Sequence, residues 1–306
     1  MVGESWEISV EPSFPSAAMG DSTLLRDLIS ADPLGWLGSA VSQAYGGQTP
    51  LLVKLLDTAD NLSVQVHPAM DDPALAEDES GKPESWIVLE ARPGAGIYLG
   101  LREGVGRAEV EACLQARGPL DRLLNFVPCK PGDAFVIGAG TVHAIGAGIT
   151  LLEPQHVAPG KRGLTYRFWD WNRLYDANGV RSPNGQPRQL HVERSLAVTN
   201  FAATGEAFVA SCRAQSTPLS DGAVRHVRLL RSQWFEAESA RGAGPLNVSL
   251  GGTMTGLTVL AGVVRIDTAG GTISVPRGQS AVVPARLGQI RLRLEDAHCI
   301  MTRSRA

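Results

Sequence analysis

The sequence has few cysteines, no long apolar run and no surplus of basic residues. The cysteines are scattered, at Cys113, Cys129, Cys212 and Cys299, and form no Cys-x-x-Cys pair, which predicts the reduced thiols of a cytoplasmic protein and no cysteine zinc site. No apolar segment approaches the length of a membrane span, and the first residues do not resemble a secretory signal. The formal net charge is −3, so no basic stripe favours nucleic acid. We therefore expect neither a membrane nor a nucleic acid as a partner, and the sequence leaves the oligomeric state open.

Glycine and proline, by contrast, are abundant. The 306 residues include 34 glycines and 19 prolines, a composition typical of short strands joined by turns. Helical spacing is confined to three short stretches, residues 22–29, 107–117 and 120–125. Most of the remaining sequence alternates or has β character. The predicted fold class is therefore all-β (mainly β), a barrel or jelly roll with small helical insertions.

The most informative pattern is Gln65-Val66-His67-Pro68, which is followed by Glu84 and later by His143. Gln65 and His67 are two residues apart in an alternating apolar run, so on a strand their side chains point to the same face. Glu84 and His143 lie in later segments of strand character and could complete a set of two imidazoles, one carboxylate and one amide oxygen. Such a set suits zinc or a similar divalent ion. A lone histidine on a strand is more often a core or surface residue, so this prediction depends on the whole set.

His143 belongs to a pattern that recurs near the C-terminus. It follows a Pro-Gly turn, a short apolar strand and a glycine-rich turn. A similar turn and strand begin at Gly278, as the first copy begins at Gly132. His143 lies eleven residues after Gly132, and the residue eleven after Gly278 is Gln289. The second copy therefore has the strand pattern without the histidine.

Together these motifs resemble the type I mannose-6-phosphate isomerases (phosphomannose isomerases), and more closely their short bacterial form. The matching stretches follow the family order over most of residues 3–200, and the set is specific although no single stretch is. They are Gly3–Ser9, Leu51–Asp57, Leu62–Pro68, Gly81–Trp86, Pro131–His143, Leu151–Glu153, and Thr165–Arg167 with Asp170 and Arg173. The C-terminal third resembles the family only in its strand pattern.

The resemblance implies a metal site and a reaction. In the family the ligands are a Gln, a His, a Glu and a second His, in the motifs that here contain Gln65, His67, Glu84 and His143. It implies one Zn²⁺ per chain and a sugar-phosphate substrate, with mannose 6-phosphate and fructose 6-phosphate interconverted through an enediol. A metal ion can hold and polarise the C1 and C2 oxygens of such a sugar.

Four further residues match family positions around the substrate. Arg167 matches the essential arginine, whose guanidinium can stabilise an enediolate or orient the sugar. Lys82 matches a lysine that faces the substrate and could serve proton transfer or the phosphate. Ser63 matches a residue near the phosphate, and Glu153 matches an acid that is a candidate proton carrier. On sequence alone, Lys82 could equally be a solvated loop lysine, and Arg167 could simply pair with Asp170.

The domain organisation follows from the repeat and from a break in the pattern near residues 202–205. We predict a catalytic, metal-binding domain over residues 1–205 and a C-terminal domain without a metal site over residues 206–306. The resemblance implies that each is a cupin-like jelly-roll β-barrel.

The sequence departs from the family pattern in three places. The motif at Gly3–Ser9 usually has an earlier segment with a strand before it, so we expect either a barrel that is closed differently or a chain that starts downstream of the natural start; a missing strand would leave an open sheet edge. The residue four before Arg167 is commonly an acid but is Gly163 here, so another group would have to take any part of that acid in proton transfer. The segment before Arg167 is longer than usual, and its Lys161 and Arg162 either bind the phosphate or are solvated.

Other functions stay open on the same scaffold. One is a catalytically weak sugar-phosphate binding or regulatory protein, since fold does not fix function; another is an isomerase of a related sugar. A cupin dioxygenase would favour a histidine-rich iron site with open positions, and Gln65 in the ligand set argues against it. A pure binding protein has no need of four metal ligands together with Lys82 and Arg167.

Overall fold

Strands make up most of the fold in a computed structural model of the chain, which describes residues 2–306. The elements are β1 (Val2–Ile8), α1 (Leu25–Ala31), α2 (Pro33–Leu37), α3 (Ser39–Ala44), β2 (Leu51–Thr58), β3 (Val64–Val66), β4 (Glu79–Ser80), β5 (Glu84–Ala91), β6 (Gly96–Leu101), α4 (Arg107–Gln115), β7 (Leu124–Pro128), β8 (Ala134–Ile137), β9 (His143–Ile145), β10 (Ile149–His156), β11 (Arg162–Gly163), β12 (Tyr166–Trp169), α5 (Val192–Val198), α6 (Gly205–Cys212), β13 (Thr217–Ser220), β14 (Val224–Arg231), β15 (Phe235–Ser249), β16 (Thr255–Thr268), β17 (Gly271–Pro276), β18 (Ser280–Val283) and β19 (Gln289–Ser304). The predicted mainly-β class with small helical insertions is confirmed.

The helices are short, and one predicted helix is wrong. The first two predicted stretches correspond to α1 and α4, but residues 120–125 form only a 3-10 turn at Leu120–Leu123. Strand β7 follows directly and pairs with β6, where Leu124 lies opposite Leu101. This long-range pairing overrides the local helical pattern. Within residues 2–306, none of the helices is long and apolar enough to cross a membrane.

The chain divides into two compact units. The first comprises residues 1–3, 56–152 and 160–213, and the second comprises residues 4–55, 153–159 and 214–306. The last boundary between the two units along the chain thus lies between Arg213 and Ala214. The predicted domain boundary, between residues 205 and 206, lies within α6. The presence of a metal site in the first predicted domain, and of none in the second, stays a prediction.

In the first unit, one sheet brings the central motif strands together. Its strand order is β12-β3-β9-β6-β7, and all its neighbouring pairs are antiparallel. On this sheet Gln65 lies opposite His143 on one side and opposite Arg167 on the other. Residues directly opposite each other in a sheet share a face, so the pairing aligns three predicted site residues in one row. Strand β5, which begins at Glu84, pairs with β8.

Two apolar clusters support this arrangement. One includes Trp86, Phe135 and Ile137 of β5 and β8. The other includes Val64 and Val66, which flank Gln65 on β3. Both valines are fully buried, whereas Gln65 points to the opposite face because side chains alternate along a strand. The packing of the valines therefore fixes the direction in which Gln65 points.

The second unit is built on a sheet with the order β13-β14-β15-β19-β16-β17, in which β18 also pairs with β16. The repeat predicted from the sequence is visible in its strands. Strands β8 and β18 each have four residues and begin two residues after the glycines of the two copies. Strands β9 and β19 begin at His143 and Gln289, the two matched positions.

A buried charged network lies in the sheet of the second unit. Glu238 is 5% exposed and Arg303 is 6% exposed. The guanidinium of Arg303 contacts both carboxylate oxygens of Glu238, at 3.0 and 3.1 Å, and donates from Nε to the hydroxyl of Thr255. His226 Nε2 lies 3.0 Å from the same carboxylate. Burial alone would raise the pKa of Glu238, but the hydrogen bonds and charges of His226 and Arg303 lower that pKa to about 2.

This network predicts a pH-dependent contribution to stability. Because the pKa of Glu238 is lower in the folded chain, its stabilisation is present above the ordinary carboxylate pKa and is lost as the pH falls from about 4.5 toward 2. Glu238→Gln should lower the free energy of unfolding at pH 7 by about 3 kcal/mol, since a buried guanidinium loses its closer carboxylate partner and keeps only Glu236 at 3.4 Å. The difference between variant and wild type, measured by denaturant unfolding, should shrink below pH 4.5.

Glu295→Gln is the matched control. Glu295 pairs with Arg265, and both side chains are about half exposed, so its removal should change stability little at any pH. Equal effects of the two substitutions would contradict the assignment.

Candidate metal centre

Three buried side chains converge at the centre of the first unit. His67, Glu84 and His143 each offer a ligand atom, and these atoms all lie within 4.8 Å of one another. The Nε2 atom of His67 lies 3.3 Å from Oε2 of Glu84, and the Nε2 atom of His143 lies 3.3 Å from Oε1 of Glu84. All three residues are at most 3% exposed. The structure thus brings three of the four predicted ligands together, and their role as ligands stays a prediction.

Backbone carbonyls fix the orientation of both imidazoles. The Nδ1 atom of His67 is 2.8 Å from the carbonyl oxygen of Leu164. The Nδ1 atom of His143 is 2.8 Å from the carbonyl oxygen of Thr141. A carbonyl oxygen only accepts, so each Nδ1 must carry the proton, and a neutral ring then presents a lone pair at Nε2. This outer arrangement is the usual one for histidines that bind metals.

The contact between His67 and Glu84 brings two acceptors face to face. Burial and the charge of Lys82 lower the pKa of His67 to about 4, so the ring is neutral at pH 7. Its Nε2 atom is buried and has no hydrogen-bond partner among the described residues. A lone pair and a carboxylate oxygen at this separation repel unless a cation lies between them. The three side chains therefore fit a divalent cation, and the mixture of imidazole and carboxylate ligands suits zinc.

Lys82 adds a positive charge at the edge of this cluster. Its Nζ atom lies 3.6 Å from Oε2 of Glu84, and its side chain is only 13% exposed, so it is not the solvated loop lysine that the sequence allowed. Burial alone would raise the pKa of Glu84, but the adjacent imidazoles and the positive charge of Lys82 keep that pKa well below its usual value. Glu84 is therefore a carboxylate at neutral pH.

Gln65 and Ser63 lie side by side next to the cluster. The Nε2 atom of Gln65 donates to the hydroxyl oxygen of Ser63 over 3.0 Å. This bond uses the NH₂ group of the amide, so the amide oxygen keeps its acceptor capacity for a cation. Gln65 also lies directly opposite His143. As a fourth ligand, it stays a prediction.

Arg167 does not pair with Asp170, contrary to the simple structural interpretation of the sequence. Its NH1 atom donates to the carbonyl of Gln189, and its backbone N–H donates to Nδ1 of His191. Its buried Nε atom has no partner among the described residues. Burial and the neighbouring charge of Arg188 lower its pKa. The guanidinium thus retains a donor that none of the described residues uses.

The partners of Asp170 are Arg173 and Arg188. Arg173 is three residues away, and Arg188 donates from Nε and NH2 to the two carboxylate oxygens at 2.7 and 2.8 Å. Sequence reasoning missed Arg188, which lies in an irregular polar segment without a motif. It also missed Trp86, whose ring packs edge-on against His143 at a centroid distance of 5.4 Å. For Trp86 a signal was present, since it lies two residues after Glu84 and so on the same face of β5.

The added segment before Arg167 has a structural partner. Arg162 forms ion pairs with Asp78 and Glu79, both at 3.1 Å, and is largely exposed. Lys161 is also exposed. These contacts favour the solvated interpretation of Arg162 over the phosphate-binding one.

Comparison with known proteins identifies the family. The model of the family "Phosphomannose isomerase type I, catalytic domain" matches residues 1–92. A mannose-6-phosphate isomerase of Streptococcus mutans is 32% identical over 288 residues, which cover 92% of this chain and 82% of that protein. The chain belongs to the mannose-6-phosphate isomerase family. The resemblance predicted from the motifs is confirmed.

Other relatives of this family agree. The mannose-6-phosphate isomerase ManA of Bacillus subtilis is 38% identical over 157 residues, or 51% of this chain and 46% of that protein. The crystal structure of a mannose 6-phosphate isomerase from Bacillus subtilis has the same fold, with a TM-score of 0.81 over 98% of this chain and 89% of that chain at 22% identity. The predicted cupin-type fold is thereby confirmed.

Glu153 is the one predicted site residue that lies in the second unit. It is on β10 and is 6% exposed. Its part in proton transfer stays a prediction.

The convergence of ligands predicts one bound ion per chain. His143→Ala should weaken Zn²⁺ binding by at least about 100-fold, because even the outer-shell partners of ligands are worth 10–100-fold in affinity. Competition with a chelating dye would give the affinity, and elemental analysis the stoichiometry. His298→Ala is the control, since His298 bonds to Ser239 in the second unit and should leave zinc binding unchanged. Normal affinity in His143→Ala would remove His143 from the site.

Proposed function

We propose that the chain interconverts mannose 6-phosphate and fructose 6-phosphate through an enediol, with one Zn²⁺ per chain held by Gln65, His67, Glu84 and His143. The observation that carries the proposal is the buried approach of an imidazole nitrogen of His67 to a carboxylate oxygen of Glu84 at 3.3 Å, an arrangement that a bound cation would stabilise. Family membership supports the reaction. The four cysteines are free thiols, in keeping with the cytoplasmic location that we also propose.

The isomerisation moves one proton from C2 of the aldose to C1 of the ketose and a second proton from the C2 hydroxyl to the C1 oxygen. A bound zinc ion would supply Lewis-acid polarisation and a template for the C1 and C2 oxygens. Arg167 would stabilise the negative charge that develops on the enediolate, because its Nε donor has no hydrogen-bond partner within residues 2–306. Lys82 and Glu153 are the proposed groups for proton transfer.

The phosphate needs donors at a distance from the metal. We assign this part to the hydroxyl of Ser63, whose oxygen accepts from Gln65 while its own proton remains a donor. Lys82 and Arg167 would contribute positive charge on the substrate side.

The second candidate is a catalytically weak sugar-phosphate binding or regulatory protein. It would use the same donors for the phosphate but would have no need of Lys82 beside Glu84. The 3.6 Å approach of that ammonium to the cluster favours the enzyme. An isomerase of a related sugar would share every residue named above and differ only in substrate.

The first prediction concerns the reaction and the metal together. Fructose 6-phosphate formed from mannose 6-phosphate, followed in a coupled assay, should disappear after chelation and return with Zn²⁺. Mannose without its phosphate is the control substrate and should react poorly. If the zinc-loaded protein binds the sugar phosphate without turnover, the binding-protein alternative is correct instead.

The second prediction concerns Arg167. Arg167→Ala should lower kcat by about 100- to 1000-fold, the usual effect of removing one donor to a developing oxyanion, while zinc content stays normal. Arg107→Ala is the control, because Arg107 forms an exposed ion pair with Glu111 on α4. Unchanged turnover in Arg167→Ala would return Arg167 to a structural role.

A further inference from the structure

A two-residue strand pair borders the metal centre within the first unit. Strand β11 runs parallel to β4, with Arg162 opposite Glu79 and Gly163 opposite Ser80. The pair is closed by hydrogen bonds from Arg162 N–H to the Asp78 carbonyl at 2.8 Å and from Leu164 N–H to the Ser80 carbonyl at 2.9 Å. The ion pairs of Arg162 with Asp78 and Glu79 hold the same strands together. Residues 162–164 therefore have a fixed place next to the segment that leads to Lys82.

Both segments of this strand pair contact the region around His67. The carbonyl oxygen of Leu164 is the acceptor for Nδ1 of His67. On the opposite strand, Gly81 packs against the backbone that follows His67, where a Cβ atom would lie 2.6 Å from the Pro68 carbonyl oxygen. The backbones around His67 and Lys82 are thus in close contact and cannot separate without breaking this packing.

Gly163 lies against the side chain of Lys82. A Cβ atom at position 163 would be 3.1 Å from Cγ of Lys82 and 3.3 Å from its Cβ and Cδ. The stem of Lys82 thus occupies the space that a side chain at position 163 would fill. The same stem delivers Nζ to within 3.6 Å of Glu84. The absence of a side chain at position 163 is therefore part of what sets the position of the ammonium group.

We propose that Gly163 is a positioning residue for Lys82, and that the size of the residue at position 163 determines where the ammonium lies relative to Glu84. The consequence for turnover rests on the proposed function, whereas the packing itself does not. A larger residue would push the lysine stem aside by a few tenths of an ångström, and displacements of about 1 Å can cost 100-fold in rate.

The experiment is a size series at position 163. Gly163→Ala should lower kcat by roughly three- to tenfold, and Gly163→Val should lower it further, while the Zn²⁺ content at saturation stays that of the wild type because Lys82 is not among the proposed ligands. Gly222→Ala and Gly222→Val are the matched controls, since a Cβ at position 222 meets nothing within 4 Å. Both controls should keep the wild-type kcat.

A thermal-unfolding cycle tests the packing without reference to activity. Gly163→Ala should lower the midpoint of unfolding when Lys82 is present. It should lose that effect in a Lys82→Ala background, where Cγ and Cδ of the lysine are gone. Equal changes in both backgrounds, or a size series at position 163 that behaves like the one at position 222, would overturn the proposal. If the wild-type chain has no isomerase activity, the proposed function is wrong. The unfolding cycle then tests on its own whether Gly163 positions Lys82.

Discussion

The first unit depends on one electrostatic constraint, the carboxylate of Glu84 held between two imidazole nitrogens in a buried place. Each ring donates its Nδ1 proton to a backbone carbonyl, so the rings cannot also donate toward Glu84 in their neutral form. For His67 the low pKa makes the neutral form dominant. The imidazole Nε2 nitrogens and the carboxylate oxygens are all hydrogen-bond acceptors, and they converge in a buried place. A cation bound between them would stabilise this arrangement. The pairing of β3 with β9 and the start of β5 at Glu84 bring these atoms together.

The parts of this site that the sequence predicts are those set by local geometry. Two-residue spacing on a strand determines that Gln65 and His67 share a face, and a turn, strand and turn in a recurring order predict the start of a strand at His143. The mainly-β class follows in the same way from turn residues and alternation. The sequence does not predict the secondary structure where a residue distant in the chain determines it. Leu124, for example, belongs to β7 because it pairs with Leu101.

The contacts that hold the site residues in place also depend on partners that are distant in the sequence. The carbonyl of Leu164 binds His67 across 97 positions of the chain, and no side-chain pattern can reveal a carbonyl as a partner. Arg162 carries a charge that suits a phosphate, yet the acids that it contacts lie more than 80 positions earlier. Asp170 likewise pairs with Arg188, which lies in a later segment that folds back beside it. The sequence therefore predicts which side chains come together in the candidate site better than it predicts the groups that hold them in place.

The two units contain a buried carboxylate on a strand, and they neutralise it in different ways. In the second unit, Glu238 receives a guanidinium within hydrogen-bond distance on both oxygens, so the protein supplies the cation itself and the group is structural. In the first unit, the side chains closest to Glu84 include a neutral imidazole, while the ammonium of Lys82 stops at 3.6 Å. Glu238 is thus neutralised by a guanidinium, whereas the groups around Glu84 include two imidazoles, the ligand type that suits a divalent cation. This difference in the neighbouring groups, and not the presence of a buried acid, separates the candidate metal centre from the structural network.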